Sequence, residues 1–395
     1  MQGELMGCVA RLRGLHREDG VRVWHLIRKR EREVGIVERP VDHGRIPDPV
    51  APQERTQDLA VVDEDGHASA IPWEVLKLRA GSTAANVQIA PATRRPMDST
   101  PPNPPRAVEL VLPARETIEG AGVHLRRAFG NREVPKLDPF LLLDDFRSEN
   151  PIQYIAGFPW HPHRGIETVT YMLDGLVEHE DSIGNKGVIG AGDVQWMTSG
   201  SGIIHQEMPK FRDPKDPFMG GFQLWVNLPS SNKMMDPRYR EVKRAAIPEV
   251  SVGKDVRVRV VAGEVNGVRG PVGGIVVEPE YLDVRVEPGA VFDHPVRTGH
   301  TAFAYVLGGK GTFDEGTGEI DSENLVVFRD GDRVAVRAAN EPLRFLLISG
   351  KPIGEPVAWW GPIVMNTRKE LETAIEEYQE GTFIKVGTPR KRLPT

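Results

Sequence analysis

WHPHRGIETVTYMLDG, Trp160 to Gly175, and GDVQWMTSGSGIIHQEMP, Gly192 to Pro209, are the stretches on which the reading of this chain turns. In an extended segment, side chains two apart point to one face. His161 and His163 therefore project together, and His205 with Glu207 does the same from a second strand. Brought together inside a small barrel, the two pairs offer three imidazoles and one carboxylate to a divalent ion. One or two octahedral positions then stay open for water, substrate or dioxygen, the mark of a reactive rather than a structural metal. A lone His-x-His on a strand is more often a satisfied structural pair; the second pair, His-x-Glu, makes the constellation.

Ligand softness narrows the ion. Imidazole and carboxylate without thiolate suit Fe(II), Mn, Ni, Zn and Cu, and affinity order alone favours Cu or Zn over iron. Cys8 is the only cysteine, so neither an internal disulfide nor a thiolate cluster can be built. Around the four candidate ligands, Glu167 shares the parity of His161 and His163 if their strand continues. It then either orients a ligand or bound water or pairs with a basic residue such as Arg164. Phe158, Trp160, Trp196 and Met197 flank the ligand strands and either line an apolar pocket or pack in the core. His179 stands beside a Gly-Asn turn and reads as a loop residue, with the pocket rim as the alternative. Gly200 and Gly202 permit a tight turn that delivers His205, since such turns need positive φ or close backbone approach.

Working outward, short runs of Val, Ile, Leu, Phe and Thr broken by Gly, Asp and Asn begin at Arg106 and read as strands. With 41 Gly and 33 Pro, turns outnumber long helices. The fold class expected is all-β. A polar bridge around Pro229 to Val250 separates two such stretches, so the chain divides into 106–232, a linker 233–248, 249–385 and a basic tail 386–395. One helix is expected in TRKELETAIEEY, with Thr367 as N-cap, Glu370 three residues on, Leu371, Ala374, Ile375 and Tyr378 on one face, and Gly381 as its stop.

Residues 1–105 contain no Phe or Tyr and close in PATRRPMDSTPPNPP, so they read as a largely disordered extension, with at most a short basic helix near Val21 to Glu38. Met97 stands just before the β patterning and is a candidate true start of translation. A net charge of -6 argues against nucleic acid as a direct ligand. No stretch has the length of a signal-peptide core or approaches the roughly 20 apolar residues of a membrane span, which points to a cytoplasmic protein with no membrane partner.

The blocks HPHRGIETVTYMLDG, HEDSIGNKGVIGAGDVQWMTSGSGIIHQEMP, LWVNLPSSNKM and GPIVMNT resemble, in order, those of the pirin family of the cupin superfamily. The resemblance runs from about Val108 to Ile384 and leaves residues 1–105 uncovered. It implies two tandem cupin barrels, jelly-roll-like and facing each other. One metal, iron by this resemblance, is held in the N-terminal barrel at His161, His163, His205 and Glu207. The C-terminal half has no paired His and Glu, only the isolated His294 and His300, consistent with a second barrel that has lost its metal.

For activity the resemblance implies either of two classes. The first is a quercetinase-type dioxygenase, an oxidoreductase opening a flavonol or similar enol or phenol with O2, with Glu207 as proton acceptor. The second is an iron-dependent, redox-responsive partner of a transcriptional regulator or metabolic enzyme. A permissive pocket acting on a non-flavonol substrate is a third reading. Two barrels covering each other's faces suggest a monomer.

Overall fold

The computed structural model describes residues 104–210 and 217–386, with the backbone of 60–62 and 68–70. In the unit Met1–Arg95, Ala60–Val62 pairs antiparallel with Ala68–Ala70, so these six residues do form regular structure. The other expectations for the N-terminal extension, including the helix near Val21, Cys8 and the start at Met97, lie outside the described residues, as does the basic tail beyond residue 386.

In the unit Pro96–Thr395 the Val-, Leu- and Phe-rich runs form strands. Those needed below are β1 (Val108–Pro113), β2 (Phe140–Asp145), β3 (Phe158–His163), β4 (Ile166–Asp174), β5 (Leu176–Asp181), β6 (Val194–Thr198), β7 (Ile203–Lys210), β8 (Gly220–Asn227) and β9 (Arg238–Val242). The second half adds β10 (Glu280–Val286), β11 (Thr301–Gly308), β12 (Asn324–Phe328), β13 (Leu343–Gly350), β14 (Ala358–Trp360), β15 (Ile363–Met365) and helix α1 (Arg368–Glu380). The first barrel faces a four-stranded sheet, in which β7 lies between β5 and β3, against a seven-stranded sheet containing β9-β6-β4-β8-β2. The second repeats the plan, with β10-β13-β11-β12 at the centre of its seven-stranded sheet.

The sequence boundaries do not coincide with the sheets. β1 precedes the first barrel in the chain yet pairs with β12 in the second. Residues 238–242, expected in a linker, form β9 and pair with β6, extending the first barrel's sheet. The segment after β13 returns to the first barrel, where Ile363 forms a parallel bridge with Arg164. Each barrel therefore carries a piece of chain from beyond the other.

The two seven-stranded sheets share one apolar core: Val169, Tyr171, Trp196, Phe222 and Leu224 from the first barrel pack with Tyr281, Phe303, Tyr305, Leu346 and Ile348 from the second. Matching polar clamps cross it. Tyr171 Oη donates to Asp283 Oδ2 at 2.6 Å, and Arg344 bonds both oxygens of that carboxylate. On the mirrored side Tyr305 Oη donates to Asp145 Oδ2 at 3.0 Å, where Arg147 also bonds both oxygens. Each carboxylate is stripped of water and repaid by an arginine and a phenol, which is what makes a buried charge tolerable.

Helix α1 forms as its residues require. Thr367 and Glu370 make a reciprocal capping box, and Gly381 closes the helix at φ +76°. Ala374 and Leu371 pack with Ile363, Met365 and Phe383 and with Ile204 on β7, so the helix rests on the first barrel. Inside the second barrel Val258, Leu282, Val284, Phe292, Val306 and Phe345 fill the space with apolar side chains.

Candidate metal centre

β3 and β7 are antiparallel neighbours, with His205 directly opposite His161. Facing residues across a strand pair point to the same side, and His163 follows His161 by two. The three rings therefore converge. His161 Nε2 lies 3.1 Å from His163 Nε2 and 2.9 Å from His205 Nε2, and one ligand atom from each of the three falls within 4.8 Å of the others. The turn before β7 depends on its glycines: Gly200 has φ +46°, and a Cβ there would sit 2.1 Å from the Met235 carbonyl oxygen, while Gly202 has φ +138°.

The protonation pattern shows what this cluster fits. His161 Nδ1 lies 2.8 Å from the Pro159 carbonyl and His163 Nδ1 lies 3.0 Å from the Pro362 carbonyl. A carbonyl only accepts, so both Nδ1 atoms carry the hydrogen and both Nε2 atoms present lone pairs. Those lone pairs meet each other and His205 Nε2 at contact distance. Added protons are disfavoured: burial, then the neighbouring His161, holds His163 well below its ordinary pKa. His205 is depressed likewise by burial and by His161, His163 and His179, while His161 is lowered by burial against the opposing pull of Glu207. Three converging Nε2 atoms on rings that resist protonation fit a divalent transition ion, and the Nδ1–carbonyl bonds of His161 and His163 are the usual supports of such ligands.

Glu207 stands at the edge of this group. A bulge separates it from His205 in the β7–β3 register, and its Oε2 lies 3.9 Å from His205 Nε2. Thr170 Oγ1 is 3.1 Å from Glu207 Oε1 and 2.6 Å from Gln223 Oε1. One hydroxyl hydrogen cannot serve both acceptors, so the Gln223 amide belongs in the flipped orientation, donating to Thr170, which donates to Glu207. The carboxylate, with Thr170 and Gln223, also borders a largely apolar cavity of about 30 Å³ whose other walls include Phe146, Tyr154, Phe158, Val177 and Met219.

Not every residue singled out in the sequence joins the histidines. The ligand strand ends at His163, and Gly165 turns at φ +78° before β4 begins, so Glu167 belongs to the opposite sheet. There it accepts from Trp196 Nε1 at 3.1 Å and Thr198 Oγ1 at 2.6 Å, with Arg238 at 3.6 Å. Burial raises its pKa, and those bonds pull the other way. Arg164 pairs instead with Glu377. Trp196 is in the core between the barrels, and Met197, though buried, is not among the residues lining the cavity; Phe158 is. Trp160 is half-buried on β3.

His179, read as a loop residue, lies on β5, fully buried. Its ring stacks on Tyr239 at 4.8 Å and lies 5.5 Å from the His205 ring, with Nε2 3.8 Å from Asp181 Oδ2. The alternation of His179 with Asp181 was the signal available for this strand. In the second barrel His294 bonds Glu280 at 3.1 Å; among the described residues His161, His163 and His205 form the one group arranged to hold a metal.

Fold and site together define a two-barrel cupin protein with a three-histidine cluster in its N-terminal barrel. The sequence profile of the Pirin family matches residues 122–226, and that of the Pirin C-terminal cupin domain matches 281–384. A pirin-like protein of Caulobacter vibrioides is 44% identical over 281 residues, covering 71% of this chain and 100% of its own length. Human pirin is 42% identical, covering 69% and 92%. A crystal structure described as quercetin 2,3-dioxygenase from Acinetobacter baumannii superposes with a TM-score of 0.64 at 31% identity, covering 71% of this chain and 98% of that one. The chain belongs to the pirin family.

Proposed function

We propose that this pirin is a metal-dependent oxygenase of the quercetin 2,3-dioxygenase type, holding one divalent ion, iron, through His161, His163 and His205, with Glu207 as fourth ligand or proton acceptor. The observation that carries the reading is the convergence of three histidine Nε2 atoms beside a carboxylate and a largely apolar cavity. A bound divalent ion would supply Lewis acidity toward an enol or phenol oxygen and open positions for small ligands. The protein's part is to orient and to move one proton. Glu207 accepts the substrate hydroxyl proton at a carboxylate oxygen, and Thr170 with Gln223 holds that carboxylate in place. Phe146, Tyr154, Phe158 and Met219 keep water away from the reacting carbon.

Cavity size bears on the substrate. About 30 Å³ is room for no more than a few waters, so a flavonol enters only if Phe158 and the flexible Met219 swing aside. A smaller enolic substrate needs less displacement and is the second reading. The test is oxygen consumption by protein reconstituted anaerobically with Fe(II), offered quercetin and then small enols, beside a His161→Ala variant whose metal content is measured in parallel. Metal-dependent uptake lost in the variant supports the oxygenase. Metal-loaded protein that is inert toward every substrate overturns it in favour of the iron-dependent binding role.

A further inference from the structure

The C-terminal segment that returns to the first barrel touches both strands carrying the histidines. At the end of β3, the Pro362 carbonyl accepts from His163 Nδ1 at 3.0 Å, and just beyond it Val364 N donates to the Arg164 carbonyl at 3.1 Å. Arg164, the residue after that histidine, is only 2% exposed, yet its guanidinium has three separate partners. Nη1 pairs with Glu377 on α1 at 2.7 Å, Nη2 donates to the Phe383 carbonyl at 2.8 Å, and Nε donates to the Ser201 carbonyl at 2.7 Å, in the turn that launches β7 toward His205. The Phe383 ring covers the same guanidinium at 4.2 Å. Lys233 Nζ then ties Gly165 O at 2.9 Å to Val364 O at 3.0 Å and to Asn227 Oδ1 at 2.7 Å.

We infer that residues 358–383 act as a positioning strap for the metal centre, setting the tautomer and ring angle of His163 through the Pro362 carbonyl and holding β3 and β7 in register through the Arg164–Glu377 pair. This rests on the metal-centre reading above. The chemical reason is specific: without a carbonyl at Nδ1 the imidazole is free to carry its hydrogen on Nε2, and the lone pair needed by the ion is lost. A barrel covered by another domain needs no such bond, and an ordinary packing helix needs no buried arginine reaching three segments at once. Loss of the strap's grip therefore weakens the ion's binding before it unfolds the barrel.

The experiment uses full-length protein, Co(II) as probe, and two readouts: affinity by competition titration and the visible ligand-field spectrum. Glu377→Gln keeps the helix but removes the charge from Arg164; Phe383→Leu removes the ring over it and serves if the first variant folds poorly. Glu372→Gln, on the same helix in an exposed pair with Arg368, is the control. Expected is a roughly 10- to 100-fold loss of affinity with an altered Co(II) spectrum in the first two variants, and parent values in the control. Tight parent binding with unchanged affinity and spectrum in both strap variants overturns the strap alone. Failure of the parent to bind Co(II) overturns the metal-centre reading and the strap with it.

Discussion

Acid should destabilise the metal-free protein through its own histidines, by an amount the structure sets. Burial holds His163 and His205 well below the ordinary value of 6.5. For a base depressed in the fold, the unfolded chain binds more protons, so stability is complete above pH 6.5 and is lost as pH falls beneath it. At pH 5.5 each histidine that stays neutral in the fold costs about 1.4 kcal/mol, from RT ln(1 + 10) for the protonated unfolded form. The pair therefore removes about 2.7 kcal/mol between pH 7.5 and 5.5, a large part of a typical stability of about 5 to 15 kcal/mol. Glu167 and Asp144, raised by burial, respond with the opposite sign. The diagnostic quantity is therefore the difference between the parent and a His163→Gln variant. Urea unfolding of both at the two pH values should show the acid loss shrinking by about 1.4 kcal/mol in the variant. Equal losses in the two proteins would refute the claim that the cluster is held neutral by burial.

The inter-barrel clamps and the turns carry further expectations. Asp283→Asn should cost about 3 kcal/mol by thermal unfolding, the low end for a broken buried ion pair because Arg344 keeps a solvent-facing edge; Asp145→Asn, in the mirrored clamp, should behave alike. Gly200→Ala places a Cβ 2.1 Å from the Met235 carbonyl at φ +46° and should lose both stability, by about 1 to 3 kcal/mol, and metal binding, seen as lowered metal content after reconstitution. Thr367→Ala removes one arm of the capping box and should cost about 1 kcal/mol in urea while leaving the metal affinity near that of the parent.

What the chain wrote locally, it wrote legibly. Side-chain parity within a strand depends on the two-residue repeat alone, and so His161 with His163, and His205 with Glu207, were readable as facing pairs before any fold was known. The helix boundaries at Thr367 and Gly381 follow from a cap and a positive φ, both local. The limit appears where a turn intervenes. Gly165 ends β3, and the residue count from His163 to Glu167 no longer tells which face Glu167 takes, because a single turn resets parity. His179 was concealed by its Gly-Asn turn for the same reason: loop signals mark where a strand ends, not what its last residues face.

Beyond that lies what only the tertiary structure decided: that β1 joins the second barrel, that β9 extends the first, and that Pro362, Arg164 and Glu377 meet around His163. The first and last of those contacts join residues about two hundred positions apart in the chain. Periodicity is silent at that range, because which edges meet is chosen by the burial of whole sheet faces against each other and by the pairing demands of sheet edges, a property of the assembled surfaces and not of any one stretch of residues.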